Sequence, residues 1–123
     1  MSHIVSIKTR VTDAASLFAA CRRLGLAEPE QGTAQVFSTA ATGLMIKLPG
    51  WTFPVVANIA TGELKYDNYQ GAWGNAAELD KLLQAYAVER AKAEARRVGN
   101  TVTEQSLGNG SIKLTIQVAG GRA

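Results

Sequence analysis

One short segment of the sequence concentrates polar and aromatic side chains of the kinds that bind ligands in proteins. Its candidate ligand-binding residues are Tyr66, Asp67, Asn68, Tyr69 and Trp73. A helix follows, and the free amides of its first turn would attract an anion. Asp67 beside that positive end would stay ionised, which suits a ligand-orienting acceptor better than a general acid. In this functional interpretation, the strand–helix junction 66–75 is a candidate small-molecule or peptide site.

The same segment also has a structural interpretation. Side chains alternate along a strand, so Tyr66 and Asn68 would lie on one face, and Asp67 and Tyr69 on the other. Asp and Asn near a strand end commonly bond to nearby backbone amides, and Trp73 can pack against the first helical turn. This interpretation accounts for every residue of the segment, and we favour it over a binding site.

A second group of residues would suit nucleic acid. Its basic residues are Lys8, Arg10, Lys47, Lys65 and Lys113. If the sheet has one open face, they could contact phosphates there, and Trp51, Phe53 or Tyr66 could supply stacking rings. Lysine on an exposed strand face is also the usual protection against edge pairing, so the pattern is weak.

Composition indicates one ordinary domain. The 123 residues are 46% hydrophobic and 19% charged, which is typical of a globular chain and not of a disordered one. The formal charge of +3 permits an acidic partner without arguing for one. We expect a single domain over 1–118, a disordered C-terminal tail over 119–123, and, without a signal peptide or a long apolar run, a cytoplasmic protein.

Cysteine and histidine are too few for a disulfide or a conventional metal site. Cys21 is the only cysteine and His3 the only histidine, which excludes an internal disulfide and argues against a zinc site. Cys21 falls in the apolar stripe of a helix and is interpreted as a small buried hydrophobe. His3 lacks an identifiable catalytic partner, so we predict no catalytic residue, no metal and no cofactor, and lean against an enzyme.

Hydrophobic periodicity predicts an α+β fold in the order β-α-β-β-β-β-α-β-β, an antiparallel or mixed sheet with two helices on one face. The first helix begins at Thr12 or Asp13 and stops at Gly25. The predicted strands cover 4–11, 34–39, 44–48, 53–59, 63–68, 102–107 and 111–118, with a connection at 40–43 between the second and third.

The second helix is the best-marked element. Asn75 and Glu78 have the spacing of a capping box, and Gly99 stands where the helix should end. A helix over 76–98 would be roughly 34 Å long, more than a compact domain of this size needs. Its second half has a weak apolar face, so we expect that half to pack loosely, project or meet a partner.

Several motifs resemble one family of small proteins. They are Ser2-His3, Lys8-Thr9, Leu24-Gly25, Tyr66-Asp67-Asn68-Tyr69, Trp73-Gly74 and Tyr86. With these motifs the chain resembles the hypothetical chloroplast reading frame thirty-five family, grouped as a domain of unknown function and found in cyanobacteria, plastids and other bacteria. The resemblance implies one full-length domain and supplies no mechanism.

The leading hypothesis is a non-enzymatic interaction module. It would bind a protein partner or its own copy through the open sheet face or the second half of the long helix. The alternatives are nucleic-acid binding on the basic sheet face, and a ligand site or enzyme around Asp67, Asn68 and His3. We expect no membrane association.

Overall fold

The computed structural model describes residues 4–36 and 39–118, apart from the side chains of 35, 36 and 39. The described elements follow the predicted order, which confirms the α+β fold. The strands are β1 (Val5–Lys8), β2 (Glu30–Val36), β3 (Thr39–Ile46), β4 (Val55–Asn58), β5 (Glu63–Tyr66), β6 (Thr101–Ser106) and β7 (Ile112–Gln117), and the helices are α1 (Ala14–Arg23) and α2 (Ala76–Arg97).

The first five strands form one antiparallel sheet in the order β1-β5-β4-β3-β2. Strands β1 and β2 are therefore its two edges. Strands β6 and β7 form a separate antiparallel hairpin. Of the two sheet types that the sequence left open, the structure has the antiparallel one.

Both helices cover the same face of the five-stranded sheet. Leu17 and Cys21 of α1 and Leu82 of α2 pack in one cluster with sheet residues such as Ile46 and Leu64, and all five side chains are almost completely buried. This helix face of the sheet holds the main core, because alternate side chains of each strand point towards it.

The opposite face, called here the open face, carries the other half of each strand's side chains. Its centre is a small apolar cluster of Ala34, Ala41 and Val56, with Met45 and Phe53 packed against it. No helix of the described residues lies over this cluster. Helices thus cover the sheet on one side only, although Ala34, Ala41 and Val56 are themselves buried among neighbouring side chains of the open face.

Tyr86 of α2 fixes the start of α1. Its hydroxyl accepts from the backbone N–H groups of Thr12 and Asp13, each at 3.1 Å, and donates to the carbonyl of Arg10 at 3.1 Å. The Asp13 carboxylate then caps α1 by accepting from the Ser16 amide at 3.0 Å. The cap predicted at Thr12 or Asp13 is Asp13.

The start of α2 is capped by Asn75, as predicted, since its side chain accepts from the Ala77 amide at 2.9 Å. The Glu78 carboxylate pairs with Lys81 at 3.1 Å instead of completing a capping box. At the other end the helix stops before Gly99, which has a φ of 84°.

The second half of α2 is covered by the chain itself. The β6–β7 hairpin packs on this part of the helix, where Val88 and Ala95 are buried. Glu104 of β6 is held by Arg23 and by Lys92, the latter at 2.6 Å. Of the expectations that this half packs loosely, projects or meets a partner, projection is wrong, because the hairpin packs on it; most side chains of the hairpin stay exposed.

One predicted chain reversal is also wrong. The connection expected at 40–43 lies inside β3, which pairs with β2 from the pair Glu30–Met45 to the pair Val36–Thr39. Small side chains made this stretch resemble a turn, but they suit close strand pairing. Ala41 pairs with Ala34, and the Thr42 and Thr33 hydroxyls lie 2.8 Å apart.

Candidate interaction surface

The segment 66–75 leaves the sheet at the end of β5 and turns sharply. The Asn68 carbonyl accepts from the amides of Gly71 at 3.0 Å and Trp73 at 2.9 Å, and its side-chain amide donates to the Gly74 carbonyl at 3.3 Å. Tyr69 and Gln70 both have positive φ, 47° and 53°. Two successive non-glycine residues in this region are unusual, and they store strain of about 1–3 kcal/mol each.

The strand alternation separates Tyr66 from Asp67. Tyr66 lies on the helix face, where its ring meets Trp51 edge-on at 5.6 Å. Asp67 is completely buried, and one of its carboxylate oxygens accepts from the Tyr69 amide at 3.1 Å. Its Oδ2 has no hydrogen-bond partner among the described residues. A buried polar atom left unpaired costs stability.

Tyr69 and Trp73 pack beside the open face. Their rings lie 4.6 Å apart, and Trp73 also meets Phe53 edge-on at 5.5 Å. Phe53 belongs to the apolar cluster of the open face. The three rings, called here the aromatic corner, therefore adjoin that face, and Tyr69 is 43% exposed.

Hydrogen bonds from Trp51 and its neighbour Thr52 connect the turn to the start of α2. Its indole N–H donates to the Asn75 carbonyl at 3.0 Å, and the Thr52 amide donates to the Trp73 carbonyl at 2.8 Å. Gly74 lies directly against the Trp51 ring, and a Cβ at this position would overlap the ring. The five candidate ligand-binding residues are thus divided between the core, the turn and the aromatic corner.

A cavity of about 330 Å³ opens on the same side of the sheet. Its lining residues are Ala27, Glu28, Glu30, Met45, Lys47, Thr52 and Pro54. The lining combines apolar surface from Met45 and Pro54 with the carboxylates of Glu28 and Glu30. None of the five candidate ligand-binding residues is among these seven.

The charged groups of the cavity are unengaged. Among residues 4–36 and 39–118, no ion pair or hydrogen bond uses the side chains of Glu28, Glu30 or Lys47. Two carboxylates against one ammonium leave the lining with a net negative charge. An apolar surface bearing a few ionised groups is the usual make-up of a binding site.

Sequence reasoning missed this cavity. The predicted second strand began at residue 34, whereas Glu30 begins β2 in the structure and Pro29 is buried. The available signal was two glutamates flanking a proline at the start of a strand. The contact of this segment with 52–54 is non-local, and no pattern in the sequence specifies it.

The five basic residues do not share one surface. Lys8 and Lys65 belong to the open face, as their register opposite Glu63 and Val56 shows, and Lys47 lies at its cavity. Lys113 lies on β7 in the separate hairpin. Of the proposed stacking rings, Trp51 and Tyr66 pack on the helix face, and only Phe53 lies on the open face.

The open face mixes both signs of charge. Glu63 lies 3.9 Å from Lys65 on neighbouring positions of that face, and Glu30 faces the same way as Met45, its partner in the register. Phosphate binding favours a face of one sign, so this mixture is less suited to nucleic acid than to a protein surface of alternating charge.

Cys21 is buried, as predicted, and burial raises the pKa of its thiol to about 11. A neutral, enclosed thiol is a poor nucleophile. His3 lies outside the described residues. No cluster of metal-ligating side chains occurs within the described ranges.

The chain matches no family model, no curated protein and no solved structure. In the described part of the chain, neither helix has the length and apolarity to cross a membrane.

Proposed function

We propose that this chain is a non-enzymatic interaction module that docks a protein partner on the open face of its five-stranded sheet. The single observation that carries the proposal is that, among the described residues, helices cover only one face of the sheet. Both helices pack on one face of the sheet. The apolar cluster, the aromatic corner and the cavity all lie on or beside the open face. Aromatic and methionine side chains are enriched in protein interfaces.

The chemistry of the open face supports a protein partner over the alternatives. Lys8, Lys65 and Glu63 lie on one side of its apolar cluster, against which the partly buried Met45 and Phe53 pack, and charged residues commonly form the rim of an interface. The carboxylates that line the cavity would repel phosphates. We further propose membership of the chloroplast reading frame thirty-five family on the motifs given above, and that family supplies no activity.

The proposal is tested by substituting the open face and a matched position elsewhere. Met45→Glu places a charge beside the apolar cluster, whereas Thr115→Glu places the same charge on the exposed outer side of β7. Each variant is used as bait in an extract of the source cells, after circular dichroism has confirmed that both fold. Captured proteins are then quantified by mass spectrometry.

We expect Met45→Glu to lose the partners that the unchanged chain and Thr115→Glu retain. Equal recovery by all three baits would refute docking on the open face. Light scattering of each protein alone shows whether the partner is a second copy of the chain. Titration with single-stranded RNA at low and high salt tests the nucleic-acid alternative, since binding that weakens steeply with salt would indicate phosphate contacts.

A further inference from the structure

The two edges of the five-stranded sheet differ in how they are protected. Edge strand β1 has four residues and ends in Lys8. Edge strand β2 has seven residues, EQGTAQV, with no proline, no lysine and one charge at its first position, Glu30. Proteins usually guard exposed edges with lysine, proline or a very short strand. By these criteria β2 is left open to pairing with another strand.

Strand β2 can present a continuous row of backbone groups. All seven of its residues pair with β3 on one side, and no described strand pairs with the other side. Seven extended residues span about 23 Å, which is enough for a complete added strand. Recognition by strand addition takes affinity from main-chain hydrogen bonds and specificity from pockets for alternate side chains.

The cavity provides such a pocket at the beginning of β2. Glu30 belongs to both features, because it is the first residue of β2 and lines the cavity. Its side chain faces the same side as Met45, so a side chain on a strand added to β2 could reach the cavity from that edge. A volume of about 330 Å³ has room for one long side chain with its hydration water.

The lining specifies the chemistry of that side chain. Met45, Pro54 and Ala27 offer apolar contact to an aliphatic stem. The unengaged carboxylates of Glu28 and Glu30 outnumber the single ammonium of Lys47, so a cationic head would be favoured. Lysine and arginine combine an apolar stem with a cationic head.

We propose that the β2 edge binds an extended segment of the partner protein, and that a lysine or arginine of this segment enters the cavity beside Glu28 and Glu30. This proposal rests on the proposed docking of a partner at the open face, and it names the part of the partner that is recognised. The segment adds a sixth strand to the sheet next to β2.

The test uses the full chain and three synthetic peptides of about seven residues, the length of β2. The first peptide alternates threonine and valine around one central lysine. The second replaces this lysine with glutamate. The third keeps the lysine but carries N-methyl groups on alternate amides, which removes the donors that strand pairing needs. Binding is measured by fluorescence polarisation against the unchanged chain, the double variant Glu28→Gln/Glu30→Gln and the control Glu94→Gln, which lies on α2 away from the open face.

We expect the lysine peptide to bind the unchanged chain and Glu94→Gln alike. Binding should weaken by about tenfold or more with the glutamate peptide and with the double variant, since each removes a close charge pair. The N-methylated peptide should lose binding. All substituted glutamates are at least partly exposed, and thermal unfolding checks that the variants are folded.

Other outcomes overturn the proposal in distinguishable ways. Equal binding of the lysine and glutamate peptides would refute recognition of a basic side chain. Unchanged binding of the N-methylated peptide would refute strand pairing at β2. If no peptide binds while Met45→Glu still abolishes partner capture, open-face docking stands and recognition at the β2 edge fails. A dimer of the chain that excludes the lysine peptide would make a second copy the occupant, against the proposal.

Discussion

The Tyr86 hydroxyl is the best place to test how the helices and the sheet are joined. Tyr86→Phe removes one oxygen and leaves the ring in the core. Thr12 would keep a partner, because its amide also donates to the Arg10 carbonyl at 2.9 Å. The Asp13 amide would lose the hydroxyl as its acceptor, so most of the lost stability comes from this amide.

The expected cost follows from these contacts. One backbone amide left without an acceptor in a partly buried position costs about 1–3 kcal/mol, and the remaining lost hydrogen bond adds a smaller amount. We therefore expect the free energy of unfolding to fall by about 2 kcal/mol. For a domain of this size the Tm would fall by about 6–10 °C.

The assay is urea denaturation followed by circular dichroism, with Tyr66→Phe as the matched control. The Tyr66 hydroxyl has no hydrogen bond within the described part of the chain, so its removal should change stability by less than about 0.5 kcal/mol. Hydrogen exchange should also show faster exchange of the Asp13 amide in Tyr86→Phe. Equal effects of the two substitutions would refute the role given to the Tyr86 hydroxyl.

Three further predictions concern other parts of the fold. Gly74→Ala should lower the free energy of unfolding by about 2 kcal/mol or more in urea denaturation, because the new methyl group would overlap the Trp51 ring. A smaller effect than that of an exposed Gly→Ala change would contradict this packing. Asp67→Asn keeps an acceptor for the Tyr69 amide and should leave the Tm unchanged or raise it. Asp67→Ala removes that acceptor and should lower the free energy of unfolding by about 1–2 kcal/mol. An equal loss in both variants would show that the carboxylate itself is required. Hydrogen bonding by Arg23 lowers the pKa of the Glu104 carboxyl from 4.5 to about 2. The ionised Glu104 therefore contributes its full stabilisation above the ordinary pKa, and this stabilisation is lost as the pH falls from about 4.5 to 2. After screening by solvent this amounts to about 1 kcal/mol, and Glu104→Gln should flatten the pH dependence of the Tm over that interval.

The order of the elements was predictable because it depends on local periodicity. Alternation along β7 and the cap at Asn75 are properties of neighbouring residues, and the structure confirms the elements they indicate. The connection predicted at 40–43 was wrong because Ala40, Ala41 and Thr42 are equally compatible with a turn and with a closely paired strand. Their pairing with β2 decides the matter, and pairing is a non-local property.

The geometry of the site was less predictable for the same reason. Alternation placed Asp67 on the opposite face from Tyr66, but its complete burial depends on how the turn folds back over the sheet. The cover over the second half of α2 depends likewise on the return of the hairpin. Whether the five candidate residues 66–69 and 73 bind a ligand stays a prediction.

The attachment of the β6–β7 hairpin has a consequence for how the protein comes apart. Outside its own two strands, the hairpin is held by packing on α2, by the ion pairs of Glu104 with Arg23 and Lys92, and by a hydrogen bond from Gln84 to Gly110. A two-stranded hairpin alone is marginally stable. We therefore expect the hairpin to detach as a unit of its own while the five-stranded sheet stays folded. A protease would then reach the surface of α2 under the hairpin long before it reached the main core.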